Sequence, residues 1–566
     1  MAAPGQPQVP LDSDLFAIAI LIDELKHTEI SCRLNSMRKL AQLGARQGPR
    51  APANRFSPTT LTPPTFCTRT PDYGSPAAAL GPERTRLELV PYVNEGVDDD
   101  DEVLLVLAEQ LGGMVEAVGG AVHAHVLLEP LEALASVEEF TVRDRAVASI
   151  NAVVACLPPA SVVAHAWPLT RRLGEKHWFT ARTSACALLP RVYSRLPETG
   201  PDAGAREDAF ALYARLCSGE EVPGVRRAGA TELAAMATVG AGGALPAAAA
   251  PAPGGGAGAG AGAAAAGGAA SSGLAPPAPA AADSSAPLDA SMLLLALGTD
   301  VDCLPAPSPP PLAITCASAA AAAAAAARLL PLARAFVADD QDSVRLLAIN
   351  AVVALARLAN GGMASVHEPT PRAAATLADN KALRAECAAL CGALASDRAW
   401  RVRWSVAHRL GEVAEALGPA LTVSSSLPLL ETLLKDSEAE VRVAAAYRVR
   451  ELGVLVGREL AGTRLLPCIR EAAGDGSEHV RAALASVLLG LSAVLDEEGA
   501  AAHLVPPFLA LLKDRSPQVR SLAGGKGSFC ARAGALFFFF PLSLPLLLPH
   551  TRPSLLPPPL VRCASM

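Results

Sequence analysis

The residues in this chain that could do chemistry are paired histidines, an acidic run and scattered cysteines. His123 and His125 lie two positions apart, so on a helix they would point to different sides, which favours surface histidines over metal ligands. The acidic run at 98–102 lacks the central Gly and the terminal Glu of a calcium loop, and acids there suit a helix N-terminus. The twelve cysteines form no CxxC pair and no zinc-like cluster, which indicates reduced thiols rather than a disulfide framework.

Nucleotide-binding and metalloprotease motifs are also missing from the sequence. It contains neither a phosphate-binding GxxxxGK(S/T) loop nor an HExxH motif. The glycine-rich run at 254–262 has low complexity and lacks the strand and helix that would flank a nucleotide-binding loop. The sequence therefore predicts a protein that is not an enzyme, with no catalytic residues, no cofactor and no metal site.

Charge and hydropathy argue against nucleic acid and membrane partners. The net charge is −7, from 48 basic and 55 acidic residues, which gives no reason to expect nucleic acid. One apolar segment, 536–549, has 14 residues and three prolines, whereas a spanning helix needs about 20 residues. The first ten residues lack a basic flank and an apolar core, so no secretory signal is predicted. We expect a cytoplasmic protein, with a nuclear location also allowed.

A signature of three parts recurs every 39 residues. It consists of a Val-Arg pair, an Asp five residues before the Val, and a Pro upstream. From each Val, apolar residues recur at offsets 4, 8 and 11, which return to one face of an α-helix. The stretch after the Pro predicts a second, shorter helix that opens with the Pro. In the C-terminal half the Val residues of the signature are Val402, Val441, Val480 and Val519.

Helix pairs with this period predict the fold class. One pair cannot bury its apolar face alone, so the sequence predicts an all-α solenoid of stacked antiparallel helix pairs. A period near 40 is typical of HEAT and armadillo repeats rather than of shorter repeat families. In HEAT repeats the Arg of one repeat binds the Asp of a neighbour, so we predict such a ladder here. The alternative is ordinary surface charge at a helix start.

Segments of biased composition interrupt the repeat. They are rich in Pro, Ser, Thr, Ala and Gly, which supply too little bulk for a core and predict disordered insertions. The C-terminal tail is dominated by Phe, Pro, Leu and Ser. It allows two interpretations, an unspliced intron translated as protein or a genuine disordered tail. The predicted domains are HEAT repeat 1 (11–43), an insertion (44–82), repeats 2–5 (83–239), an Ala/Gly/Pro-rich linker (240–326), repeat 6 (327–360), an insertion (361–379), repeats 7–10 with the last incomplete (380–523), and a low-complexity tail (524–566).

Several sequence blocks point to one family of HEAT proteins. They include LFAIAILIDELKHTEISCRLNSMRKLAQL at 15–43, WFTARTSACAL at 178–188 and WRVRWSVAHRLGE at 400–412. These blocks follow one another at the repeat spacing, and the chain resembles the scaffold (regulatory A) subunits of protein phosphatase type 2A. The resemblance implies a non-catalytic scaffold whose intra-repeat turns bind regulatory B-type subunits. It also implies that the catalytic subunit binds the last repeats of the family, which we expect to be missing from this C-terminally truncated chain.

The resemblance further implies partner contacts in the matching turns. Trp and Arg are residue types that anchor interfaces, and turns on one edge of a solenoid form a continuous ridge. On the residues alone, packing at a helix start is the alternative for Trp178 and Trp400. His177 stands where the family has Asp, which is expected to weaken that contact. The implied partner-binding residues are Asp100, Glu102, Trp178, Phe179, Pro223, Arg227, Asp342, Ser343, Trp400 and Arg401.

Two other functions stay open at this stage. A different HEAT adaptor, such as a transport-receptor-like protein or an assembly factor, would share the fold but not bind the regulatory B-type partner of a phosphatase. An enzyme of the HEAT-like lyase type would need a reactive residue in a concave pocket, and the scattered cysteines offer no activated group.

Overall fold

The computed structural model describes residues 26–39, 81–95, 99–246, 319–361, 371–495 and 497–532. Within these ranges the chain is helical with short turns and contains no strand, so the predicted all-α class is confirmed. None of the helices in these ranges has the length and apolar character needed to cross a membrane. Predictions for the apolar segment 536–549, most of the tail and most of the long linker lie outside the described residues. The chain divides into two compact units between Arg448 and Val449.

The first unit is built from antiparallel helix pairs, in which a first helix leads through a short turn to a second helix. As far as the helix that ends at Leu417, the second helices pack on one another in succession, and the first helices form the other layer. The predicted stacking of pairs is therefore confirmed in this unit. In chain order the helices are α1 (Ile30–Lys39), the pairs α2 (Val90–Glu95) with α3 (Asp101–Gly113), α4 (Leu128–Leu134) with α5 (Phe140–Cys156), α6 (Trp167–Glu175) with α7 (Phe179–Arg195), α8 (Gly204–Ser218) with α9 (Pro223–Gly240), α10 (Ala319–Val337) with α11 (Asp342–Gly361), α12 (Pro371–Ala395) with α13 (Trp400–Leu417), and α14 (Leu427–Leu433) with α15 (Ala439–Leu460), which crosses the unit boundary.

The second unit repeats the same design. Its α16 packs against both α17 and α19, and α17 packs against α20. The helices are α16 (Leu466–Ala473), α17 (Glu478–Val487), α18 (Glu497–His503), α19 (Val505–Leu512) and α20 (Pro517–Arg532).

The apolar stripe read from the sequence is the core-facing side of the second helices. In α13, Val402, Val406 and Leu410 are fully buried, and Val413 is 1% exposed. The same offsets in α5 give Val142, Ala146, Ile150 and Val153, all fully buried. Burial of these side chains on both neighbouring pairs is what makes stacking favourable.

The prolines of the first helices lie inside bent helices and not at their beginnings. Pro168 and Pro428 each follow a five-residue π-helical turn, at Val162–Ala166 and Thr422–Ser426. A proline has no N–H and its ring crowds the preceding turn, so a wider turn there relieves the clash. The first helices therefore begin earlier than predicted, at Pro159 and Pro419 in these two repeats.

Glycines with positive φ end two of the second helices. Gly418 has φ 83° after α13, and Gly457 has φ 79° within α15. Only Gly adopts this conformation without strain, so it stops the helix at the same place in two repeats.

Three helices extend into segments predicted as insertions or tail. Helix α10 begins at Ala319, inside the predicted linker, because polyalanine has high helix propensity and Ala322 and Ala326 are fully buried. Helix α12 begins at Pro371, inside the predicted insertion 361–379, since Pro is favoured in a first turn. Helix α20 continues to Arg532, beyond the predicted end of the repeats at 523.

Candidate protein-interaction surface

Several of the turns that precede second helices are closed by the acid of the repeat signature. Asp397 Oδ1 accepts the backbone N–H of Ala399 at 2.8 Å, and Asp436 Oδ1 accepts that of Glu438 at 2.9 Å. Asp514 makes the same bond to Ser516 at 2.8 Å. An Asp that bonds the N–H two residues on stabilises a turn and satisfies a donor at the helix start.

Each ladder arginine binds two successive turns at once. Arg403 Nη1 donates to the carbonyl oxygens of Asp397 and Arg398, at 2.8 and 3.3 Å, and so closes its own turn. Its Nε and Nη2 donate to the two carboxylate oxygens of Asp436 in the next turn, at 2.7 and 2.8 Å. Such bidentate pairs are among the strongest polar contacts in proteins. We call an arginine and the acid of the next turn that it binds a ladder joint.

Ladder joints recur along the chain, which confirms the predicted ladder. The arginine side chains in them are only 5–16% exposed, so these are largely buried ion pairs. The repeat signature specifies Asp and therefore does not include Glu220, which supplies an equivalent carboxylate at the same repeat position. The joints are Arg33 with Asp99 and Asp100, Arg182 with Glu220, Arg226 with Asp339, Arg345 with Asp397, Arg403 with Asp436, and Arg481 with Asp514.

The arginines hold the joint acids in their charged form. Burial alone would raise the pKa of Asp397, but the bonds from Arg345 and from the Ala399 N–H outweigh it and lower that pKa. At Asp514 the bond from Arg481 is the largest effect, and the pKa is again lowered. The joints therefore contribute stability only while these carboxyl groups are ionised.

All ten residues implied as partner contacts lie beside these turns, in the first unit. None of them is buried. They occupy the N-cap position or the first two turns of α3, α7, α9, α11 and α13, one group for each of these five second helices and none at α5. We call this row of helix starts, from Asp100 to Arg401, the turn edge.

The aromatic residues of the turn edge are exposed to solvent. Trp178 is 51% exposed and Phe179 is 42% exposed, and their ring centroids are 6.1 Å apart. Trp400 is partly exposed and its ring lies 5.4 Å from the Arg401 guanidinium. Packing in the core therefore does not account for Trp178.

Two residues modify the predicted surface. Asp100 accepts from Arg33 Nη2 at 2.5 Å, so one of the implied partner contacts already has an intramolecular partner. Phe140 is 54% exposed at the start of α5, and sequence reasoning missed it. The 39-residue register could have found it, since Phe140 aligns with Phe179.

One cluster of possible cation ligands and two buried cysteines can be assessed from their contacts and burial. The ligand atoms of His27, Glu29 and Cys32 lie within 4.8 Å of one another, but His27 Nδ1 already accepts the Glu29 N–H at 3.1 Å. Burial raises the pKa of Cys387 and of Cys391 to about 12, so both thiols stay protonated near neutral pH.

Comparisons with known proteins agree with this architecture. Residues 419–496 match the family model for the PPP2R1A-like HEAT repeat. The chain is 40% identical over 222 residues to the regulatory A subunit of protein phosphatase PP2A from Schizosaccharomyces pombe, covering 39% of this chain and 31% of that protein. It is 38% identical over 238 residues to the beta isoform of the mouse 65 kDa regulatory A subunit of serine/threonine-protein phosphatase 2A, covering 42% of this chain and 33% of that protein. A probable PP2A regulatory subunit of Caenorhabditis elegans is 40% identical over 228 residues, covering 40% of this chain and 32% of that protein.

The predicted resemblance is thus confirmed for part of the chain. The matched regions span about a third of the length of these curated relatives. HEAT repeats are confirmed as the repeat type. The relatives carry the names of regulatory subunits.

Proposed function

We propose that this chain is the non-catalytic scaffold of a protein phosphatase 2A complex and that its turn edge holds a regulatory B-type subunit. The observation that carries the proposal is the exposed row of helix starts, where Trp and Arg side chains project from turns fixed by ladder joints. Rigid turns lose little conformational entropy on binding, and Trp and Arg are the residue types that dominate interface energies. The similarity to regulatory A subunits supplies the class of partner.

Substitution of an anchor on the turn edge tests the proposal. We expect Trp400→Ala and Arg227→Ala each to weaken binding of a purified B-type subunit by about tenfold, the effect of losing an interface anchor. The dissociation constant is measured by isothermal titration calorimetry, and helicity by circular dichroism, which should not change.

A control variant lies on the other layer of the unit. Leu87 is 69% exposed on the first-helix layer, so Leu87→Ala should bind as the original chain does. Loss of helicity in either turn-edge variant would show a packing role instead. Unchanged affinity in both variants would contradict the proposed surface.

By the same resemblance, we propose that the phosphatase catalytic subunit is a second partner only where C-terminal repeats of the family type are present for it to dock on. Co-elution of the catalytic subunit with a chain that carries such repeats, and not with residues 1–523 alone, would support this assignment. We also propose a cytoplasmic location, which microscopy of the tagged chain tests.

A further inference from the structure

One position on the turn edge departs from the ladder. Arg143, in the first turn of α5, lies where Arg182 lies in α7, since the two are 39 residues apart. Its Nη1 donates to the carbonyl oxygens of Val137 and Glu138, at 3.0 and 2.7 Å. The guanidinium group is therefore fixed against its own turn in the same way as the arginines of the ladder joints.

The next turn does not supply an acid to Arg143. The acid of a joint lies six residues before the next ladder arginine, and that position before Arg182 is Lys176. In the part of the chain that the structure describes, Arg143 makes no ion pair with a carboxylate. Within the described residues its Nε and Nη2, which bind the acid in the ladder joints, do not bind a carboxylate, and the guanidinium lies over the Phe140 ring, 5.8 Å from the ring centroid.

Two cations flank the turn that precedes α5. Lys176 Nζ donates to Ser136 Oγ at 2.8 Å, and Arg143 bonds the next two carbonyl groups. Burial lowers the pKa of Arg143, whereas the charges of Glu139 and Asp144 act in the opposite sense. Glu139 Oε1 already accepts from the N–H and the hydroxyl group of Thr141, at 3.4 and 3.1 Å. The half-buried guanidinium would thus gain from an additional anion.

Exposed aromatic side chains lie at the starts of the helices on both sides of this position. Phe140 begins α5, three residues before Arg143, and Trp178 and Phe179 lie two and three residues after Lys176. All three are more than two-fifths exposed. An acidic side chain that binds at Arg143 would lie beside these aromatic side chains. Apolar residues next to that acid in a protein partner could then pack against them.

We propose that an acidic side chain of the regulatory subunit inserts at Arg143 and Lys176 and completes the ladder from outside. This inference rests on the proposed function, because it names the chemical group that the regulatory subunit presents. A carboxylate is planar, and its two oxygens match the Nε and Nη2 edge of Arg143, as they do in the ladder joints. Apolar residues beside the acid would cover Phe140, Trp178 and Phe179.

The test supplies the missing acid from within the chain. In Lys176→Asp the new carboxylate can bind Arg143 directly, so we expect a higher melting temperature and at least a tenfold weaker affinity for the regulatory subunit. The second variant, Arg143→Gln, should weaken binding by a similar factor without the rise in melting temperature. The matched control is Arg171→Asp, which replaces a cation by an acid at an exposed position of α6. It makes the same change of charge and should leave the affinity unchanged.

The outcomes separate this inference from the proposed function. If the original chain binds no regulatory subunit, the proposed function fails and the inference with it. If the original chain binds but Lys176→Asp and Arg143→Gln bind equally well, only the inference is overturned. A regulatory subunit made in bacteria should still bind the original chain more tightly than it binds Lys176→Asp. Discrimination seen only with a phosphorylated subunit would overturn the carboxylate in favour of a phosphate group.

Discussion

Replacing Asp397 by Ala is expected to lower the free energy of unfolding by about 3 kcal/mol, the cost of removing one partner of a buried ion pair. The Arg345 and Asp397 side chains are 6% and 10% exposed, with Nε and Oδ2 2.7 Å apart. The change leaves the guanidinium group without its anion and also removes the acceptor for the Ala399 N–H. Urea unfolding measures the total effect, and hydrogen exchange of α11 and α13 shows where it acts.

Two further variants identify the source of this cost. The apolar double variant Arg345→Met with Asp397→Leu removes both charges and should recover much of the lost stability, because no charge is left unpaired. Arg171→Ala breaks an exposed pair between Arg171 and Glu175, whose side chains are 59% and 47% exposed, and should leave the stability almost unchanged. A loss for Asp397→Ala as small as that for Arg171→Ala would show that the joint does not stabilise the fold.

Acid is expected to unfold the chain by acting on many ladder joints together. The pKa values of Asp339, Asp397, Asp436 and Asp514 are lowered in the folded chain, although burial opposes this at all four and is the largest single effect at the first three. A group with a lowered pKa stabilises the fold above its unfolded pKa, about 3.9 for Asp, and loses that contribution as the pH falls through the folded value. We therefore expect these four acids to change the urea midpoint little between pH 7 and 5 and to cause a steep fall below about pH 4.

The apolar double variant at Arg345 and Asp397 also serves as the control for the acid experiment. It lacks one titrating joint, so its urea midpoint should fall less steeply between about pH 4 and 2 than that of the original chain. Identical pH profiles for the two chains would mean that Asp397 does not carry the expected dependence.

The fold was largely predictable because repetition multiplies a weak signal. A single stripe such as that of α13 is ambiguous, but its recurrence at the same offsets in α5 and elsewhere predicted the second helices and their buried faces. The helix limits were less predictable. A Pro in the sequence predicts a helix start, whereas Pro168 and Pro428 lie after π turns in helices that begin earlier. By its composition, the alanine run that begins α10 predicts a linker. Its burial comes from contacts with neighbouring helices, which the sequence alone does not show.

The site was predictable to a smaller extent. The resemblance located the turn edge but ranked residues by type, so it missed Phe140 and assigned Asp100 to a partner although Arg33 already binds it. Exposure and pairing depend on the neighbouring repeat and not on the residue itself, which is why the sequence alone could not decide them. The ten implied partner contacts remain predictions until binding is measured.

The ladder joints also bear on how such a chain lengthens during evolution. Arg226 and Asp339 are 113 residues apart in the sequence, yet Nε and Oδ2 are 2.7 Å apart. Arg403 and Asp436, only 33 residues apart, form the same contact at the same distance. The entropy cost of closing a loop grows only with the logarithm of its length, whereas the bidentate contact of the joint is formed in both places. A mutation that inserts sequence between the two members of a joint therefore lowers the stability of the fold only slightly, and natural selection acts only weakly against it.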